Sequence, residues 1–248
     1  KWAPLTTMMR KQRLLVLAVQ ETHLDLEEAS LLALKYPKII VESNGHSKSK
    51  GGVAFVINKD LIGDALWHHT ELIPGRMSRL QIITKDENGL DLINLYAPNN
   101  DKEKAEFFGQ VHEIMTGLED LADPIILGDF NFVEEPMDRI PAHEDDKKVV
   151  ESFKLTKKKL KLYDGWREHN PTAKKFSFHQ NTPGSASRID RIYVNDNLFK
   201  YTYDYGILTS VTMGDHDVVY VEILKEKLPF MGKGLGRVNT STIERESF

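Results

Sequence analysis

The strongest constraint on how this chain can fold comes from its short, wholly apolar runs. The most informative is Pro124-Ile125-Ile126-Leu127-Gly128-Asp129-Phe130-Asn131. A run of this length with no polar alternation reads as a strand buried on both faces, and such a strand has to be covered from above and below. The glycine that follows lets the backbone turn sharply or be approached closely. The turn then presents a carboxylate and a carboxamide two residues apart, so Asp129 and Asn131 could hold one water or one phosphate between them. Asp and Asn are also favoured in such turns for local hydrogen bonding alone, and the run by itself leaves both readings open.

The other elements follow from periodicity. Residues 1–13 space Trp2, Leu5, Met8 and Met9 for one helical face, and Leu14 to Val19 is a second buried strand. Leu26 to Tyr36 reads as a helix closed by Pro37. Ile39 to Val41 and Gly52 to Ile57 read as a strand pair. Leu80 to Thr84 and Leu90 to Tyr96 flank Asn88-Gly89, a strong hairpin signal. Phe107, Phe108, Val111, Ile114, Met115, Leu118 and Leu121 recur at helical spacing after a capping box at Asn100 and Glu103. A further helix is expected over 145–159, with strands over 176–179, 189–194 and 218–224. Many strands with few helices suggest two packed sheets with helices outside. No linker interrupts residues 1–228, which read as one domain. Residues 229–248 are Gly-, Ser- and Thr-rich without periodicity and read as a tail.

Composition narrows the chemistry. The chain has 248 residues, enough for a sizeable core, and a net charge of −4, so any nucleic-acid contact must come from local patches. It has no cysteine, which excludes disulfides, thiolate metal sites and cysteine nucleophiles and fits a reducing, intracellular setting. No apolar run approaches the ~20 residues that span a bilayer, so no membrane partner is expected.

Several polar residues stand at strand ends, where they can converge on one rim: Glu21, Tyr96, Asp129, Asp190 and the pair Asp215-His216. Four carboxylates in one cleft would repel one another unless a cation offset them. Hard oxygen ligands without sulfur favour Mg²⁺ or Mn²⁺ over Zn²⁺. An ion of this kind beside a His, a carboxamide and a phenol suits attack of water on a phosphodiester. Each residue also has a plainer reading. Glu21 could cap the following helix, Tyr96 could pack under Pro98, Asp190 could join Arg188 and Arg191 in a surface ion-pair cluster, and His216 could be structural. Lys154, Lys157, Lys158 and Lys161 share a helical face that reads as solvated, with DNA contact the lesser reading. His23, His68 and His69 read as surface residues and Trp166 as core.

Six segments, in this order, resemble the endonuclease/exonuclease/phosphatase superfamily: Gln20-Glu21-Thr22, Gly51-Gly52-Val53-Ala54, Asn94 to Asn99, Gly128-Asp129-Phe130-Asn131, Ser187-Arg188-Ile189-Asp190 and Asp215-His216. Within it, Ser187 to Asp190 and the pair Asp138-Arg139 make the chain most similar to endonuclease domains of LINE-type (non-LTR) retrotransposons. The resemblance implies a four-layered α/β sandwich and Mg²⁺-dependent hydrolysis of a phosphate ester in DNA. It implies Glu21 as a metal ligand with Asp215 beside the ion, and Asp129 as the residue that orients or activates water. Asn131 would hold the water and phosphate, His216 would contact the phosphate with Asp190 fixing its ring, and Tyr96 would donate to a phosphate oxygen. Ser177 and Ser187 would reach the substrate backbone. A reverse transcriptase domain in a longer parent protein and a nuclear setting are further expectations of the same resemblance.

The family pattern opens with a core strand that delivers an Asn, whereas here no Asn precedes Asn44. The sequence therefore reads as N-terminally truncated, with two expected consequences: unpaired backbone or an exposed apolar strip in one sheet, and weak or absent hydrolysis. Three function classes stay open: a retrotransposon DNA endonuclease, an abasic-site nuclease or phosphatase of the same superfamily, and an inactive nucleic-acid-binding relic.

Overall fold

A computed structural model describes residues 2–44, 51–83, 89–180, 184–209 and 214–224. The chain runs α1 (Trp2–Lys11), β1 (Val16–Gln20), α2 (Leu26–Lys35), β2 (Ile39–Asn44), β3 (Val53–Asn58), α3 (Lys59–Ile62), β4 (Leu66–Ile73), β5 (Met77–Ile83) and β6 (Leu90–Tyr96). It continues with α4 (Asp101–Gly117), β7 (Pro124–Asp129), β8 (Arg139–Ile140), α5 (Lys147–Leu160), β9 (Leu162–Asp164) and α6 (Gly165–His169). It closes with β10 (Phe178–His179), β11 (Ala186–Ser187), β12 (Asp190–Asn195), α7 (Asp196–Phe199), β13 (Thr202–Leu208) and β14 (Val218–Ile223).

The central layer is a six-stranded mixed sheet in the order β4-β5-β6-β7-β12-β9, parallel only between β6 and β7. Its strands alternate between two apolar faces, as a period of two requires. On one face Ile93, Leu95, Ile126 and Tyr193 pack against Phe107, Phe108, Val111 and Met115 of α4 and Val149 and Phe153 of α5. On the other, Leu80, Leu92, Ile125 and Val194 meet Phe55 and Ile57 of β3 and Tyr205 and Ile207 of β13. Outside that second strand layer, Leu5 and Met9 of α1 cover Leu17 and Val19 of β1. The result is helix, sheet, sheet, helix: the four-layered α/β sandwich.

The second strand layer is in two pieces, β1-β3-β2 and β13-β14. Among the described residues β1 ladders with β3 and β14 with β13, and no ladder joins β1 to β14.

Helix ends follow their local chemistry. Asp25 caps α2 in a reciprocal capping box with Glu28, so Glu21 does not serve as its cap. Asn100 caps α4 by accepting from the backbone of Lys102 and Glu103. Besides the short β8, β9 and β11, two longer strands escape periodicity. β4 is a half-exposed edge strand reading Leu-Trp-His-His-Thr-Glu-Leu-Ile, and β13 carries an Asp and a Gly. Only Phe178 and His179 of the 176–179 run are strand. The hairpin turn before Gly89 and the tail at 229–248 lie outside the described residues. Among those described, no helix is long and apolar enough to cross a membrane.

Candidate active site

Strand register builds the site. Tyr96 pairs with Asp129 across β6 and β7, and Asp129 with Asp190 across β7 and β12. Three polar residues thus stand in one row at the end of three neighbouring strands, all on the face turned toward the second sheet. Gly128 makes the row possible. Its φ is 141°, and a Cβ there would collide with the backbone of Leu95.

The second sheet supplies the opposite wall. The buried Asn94 donates to Val19 O and Ala54 O at 3.3 and 3.0 Å, and its own Oδ1 accepts from Gln20 Nε2 at 2.7 Å. These bonds pin the end of β1 against β6 and leave Glu21, in left-handed backbone at φ 50°, beside Tyr96. Tyr96 Oη donates to Glu21 Oε1. Burial, that bond and the neighbouring carboxylates raise the Tyr96 pKa well above the usual phenol value. Its packing is therefore more than that of an aromatic under a proline.

His216 enters from the loop before β14. That loop is sewn to the 177–179 segment: His179 N donates to Asp215 O at 2.9 Å and Asp217 N to Ser177 O at 2.6 Å. The His216 ring packs on Phe178 with centroids 4.7 Å apart, and Nδ1 lies 2.9 Å from Asp190 Oδ2. Ligand-type atoms of Asp129, Asp190 and His216 fall within 4.8 Å of one another. Burial acts against the charged imidazole, but the Asp190 hydrogen bond and the charges of Asp190, Asp129 and Asp215 outweigh it and lift its pKa to about 9. Burial, with repulsion from Asp190 and Glu21, pushes Asp129 up to about 8 against the opposing pull of His216 and the Asn131 amide. The carboxylates of the site crowd one another, and Asp129 ionises less readily than an ordinary carboxyl.

Asn131 completes the turn at φ 52°. Its backbone N donates to Asp129 Oδ1 at 2.9 Å, and its side-chain Nδ2 to Ala97 O at 2.8 Å. The Asx turn anticipated from sequence is therefore present and also serves to aim the carboxamide.

The structure brings Tyr96, Asp129, Asn131, Asp190, His216 and Glu21 to one rim. Glu21 and Asp215, both exposed, lie outside the tight group of three. Ser177 is fully buried behind Asp190, its Oγ accepting from Asp190 N at 2.9 Å. Ser187 is buried too and accepts from Arg139 Nε at 3.2 Å.

The surface cluster suggested for Arg188 and Arg191 is overturned, since both are among the most buried side chains of the protein. Arg188 makes a bidentate pair with Asp138 at 2.8 and 2.7 Å and an ion pair with Asp164 at 2.8 Å. Arg167 also donates to Asp138, and both guanidinium groups lie 5.0 Å from the Trp166 ring. This network fixes the segment that carries Asp190. Asn94 and Gln20 were likewise unassigned, although both stand inside the recognised segments. Three of the four lysines on the α5 face are paired, Lys154 with Glu151, Lys157 with Glu134 and Lys161 with Asp196. His23 and His69 are half-buried rather than exposed.

Comparison with known proteins agrees with this architecture. The family described as the Endonuclease/Exonuclease/phosphatase family matches residues 3–216. A Xenopus laevis protein, the Transposon TX1 uncharacterized 149 kDa protein, is 31% identical over 183 residues, 72% of this chain. The matched region is 14% of that protein's length. Among solved structures, the AP endonuclease LMAP from Leishmania major aligns with a TM-score of 0.75 at 19% identity, covering 91% of this chain and 83% of that one. The 3'-5' exonuclease NExo from Neisseria meningitidis aligns with a TM-score of 0.71 at 19% identity, covering 89% and 93%. At these identities the structural likeness speaks to the fold.

Proposed function

Because this chain belongs to the endonuclease/exonuclease/phosphatase family, we propose that it is a divalent-metal-dependent phosphodiesterase that nicks DNA in the manner of a retrotransposon endonuclease. The observation that carries the reading is the convergence of Asp129, Asp190 and His216 within 4.8 Å at the end of two buried strands. The likeness to a transposon protein favours DNA as substrate; a reverse transcriptase in the same parent polypeptide and a nuclear place of action are further parts of this proposal.

The donor set fits Mg²⁺ or Mn²⁺. It offers carboxylate oxygens and no sulfur, and a cation would offset the burial and the carboxylate repulsion that raise Asp129. Glu21, whose charge reaches Asp129, and Asp215, whose charge reaches His216, would hold the ion. The ion would keep Asp129 ionised and offset charge developing on the phosphate.

The chain's own residues do the remainder. Asp129 orients the attacking water and accepts its proton at a carboxylate oxygen. Asn131 spends one amide hydrogen on Ala97 O, which turns its Oδ1 to accept from that water. His216 is cationic at neutral pH and directs Nε2–H at a phosphate oxygen while Nδ1–H donates to Asp190, which fixes the orientation of the ring. Tyr96 places its hydroxyl between Glu21 and the phosphate. The test is nicking of supercoiled plasmid with Mg²⁺, with abasic duplex and a phosphoinositide as competing substrates. Plasmid nicking that needs the metal and disappears in Asp129→Ala is expected. Preference for the abasic duplex or the phosphoinositide would move the protein to another branch of the family, and metal-independent binding without cleavage would make it a relic.

A further inference from the structure

A buried charge normally has a countercharge, because desolvating it alone is costly. Arg191 departs from that rule. It follows Asp190 on β12 but points to the opposite, helix-covered face and is 1% exposed. It forms no ion pair among the described residues, and its Nε and Nη1 find no hydrogen-bond partner there. Three aromatic rings surround the guanidinium, with centroids of Phe132, Phe130 and Tyr193 at 4.5, 4.7 and 5.6 Å. Nη2 donates to Phe132 O at 2.8 Å.

Phe130 and Phe132 are the residues on either side of Asn131. Asn131 is in left-handed backbone, which Asn adopts more readily than other non-glycine residues but which still has to be held against the alternatives. Besides the bond from Asn131 Nδ2 to Ala97 O, the anchors of the turn are Phe130 N on Ile189 O at 2.9 Å, Asn131 N on Asp129 Oδ1 and Val133 N on Asp145 Oδ2 at 2.6 Å. All of these hold N–H groups. Arg191 holds the Phe132 carbonyl and both flanking rings, and so closes the grip from beneath.

We propose that Arg191 is a positioning residue for Asn131. Through its aromatic cage and its bond to Phe132 O it holds the turn in the one conformation that aims the Asn131 carboxamide at water and phosphate. A core-filling role alone would be met by any unbranched side chain of similar length. The role given to Asn131 rests on the function proposed above, whereas the grip on the turn is a property of the fold.

The experiment compares Arg191→Met, Asn131→Ala and the double variant with wild type, reading amide hydrogen exchange at 130–133 and plasmid-nicking kinetics on the full chain. Arg191→Met is expected to speed exchange at these amides about tenfold or more while β5 and β6 keep their protection. It is expected to lower kcat roughly tenfold with KM nearly unchanged, and to add little to the loss in Asn131→Ala. Wild-type exchange and kcat in Arg191→Met, or an equal loss in the Asn131→Ala background, would overturn the proposal. If Arg191→Met does not fold, Arg191→Lys and Arg191→Gln replace it. Loosening confined to 130–133 in either supports the grip, and wild-type behaviour in both overturns it. Should wild type not nick DNA at all, the proposed function fails and the exchange data still decide the grip.

Discussion

Replacing Asp190 by Asn tests the electrostatics of the site most directly. Asp190 accepts from His216 Nδ1 at 2.9 Å and is the leading influence that raises the imidazole against its own burial, from 6.5 to about 9. That rise corresponds to about 3 kcal/mol at 1.36 kcal/mol per pH unit. The His216 side chain is 34% exposed, so solvent screening reduces the figure to roughly 1–2 kcal/mol of folding stability. The sign follows from the direction of the shift. The folded-state pKa lies above the unfolded value, so the stabilisation is complete below about pH 6.5 and is lost as pH rises through about 9. In Asp190→Asn the neighbour is neutral, while Asp129 is relieved of repulsion and ionises more readily, returning part of the support. The His216 midpoint, followed by NMR of the metal-free protein, is expected to fall by roughly one to two pH units. Urea titrations should show the variant less stable than wild type at pH 6, with the gap narrowing by roughly 1–2 kcal/mol toward pH 10. An unchanged midpoint together with a pH-independent stability gap would refute the pairing as the cause of the raised pKa.

Removing one partner of the buried Asp138 network by Arg188→Met should cost about 3–5 kcal/mol, because it strands Asp138 and Asp164 in the core with Arg167 alone. Chemical denaturation measures this, and a loss below about 1 kcal/mol would mean the network carries little of the fold. Gly128→Ala should destabilise by roughly 2–4 kcal/mol through collision with Leu95 and the positive φ. Stability within about 0.5 kcal/mol of wild type would contradict the close approach of β6 and β7 there. Binding of Mg²⁺ at pH 7 should release protons, because Asp129 is held protonated up to about pH 8, and the release should vanish by about pH 9. Calorimetry in two buffers of different ionisation enthalpy checks this; buffer-independent heats would show that Asp129 does not respond to the ion.

Much of the layering was legible because it is written in local pattern. Apolar runs such as Ile125 to Leu127 and Val53 to Ile57 have no alternative to burial on both faces. The 3.6-residue recurrence from Phe107 to Met115 can only be a helix face. β4 and β13 were not legible, since edge strands need no continuous apolar run and theirs are broken by His, Glu, Asp and Gly. Asp129, Asn131 and His216 could be named as candidates from their places at strand ends and turns. Ser177, named only through the resemblance, is buried, and its Oγ accepts from Asp190 N.

By itself the sequence determined most of the longer strands and helices, which turn must contain glycine, and which chemical groups stand at strand ends. These depend on backbone propensity and on the period of apolar residues, both local. Tertiary structure decided that Tyr96, Asp129 and Asp190 share one row, that Asn94 ties Glu21 to it, and that Arg188 and Arg191 face inward. Those facts depend on register and on layer packing, which join residues up to about a hundred positions apart. A one-residue slip of β12 would send Asp190 to the helix face and Arg191 into the cleft. The chemistry was therefore present in the sequence as an inventory, and the pairing of three strands made it a site.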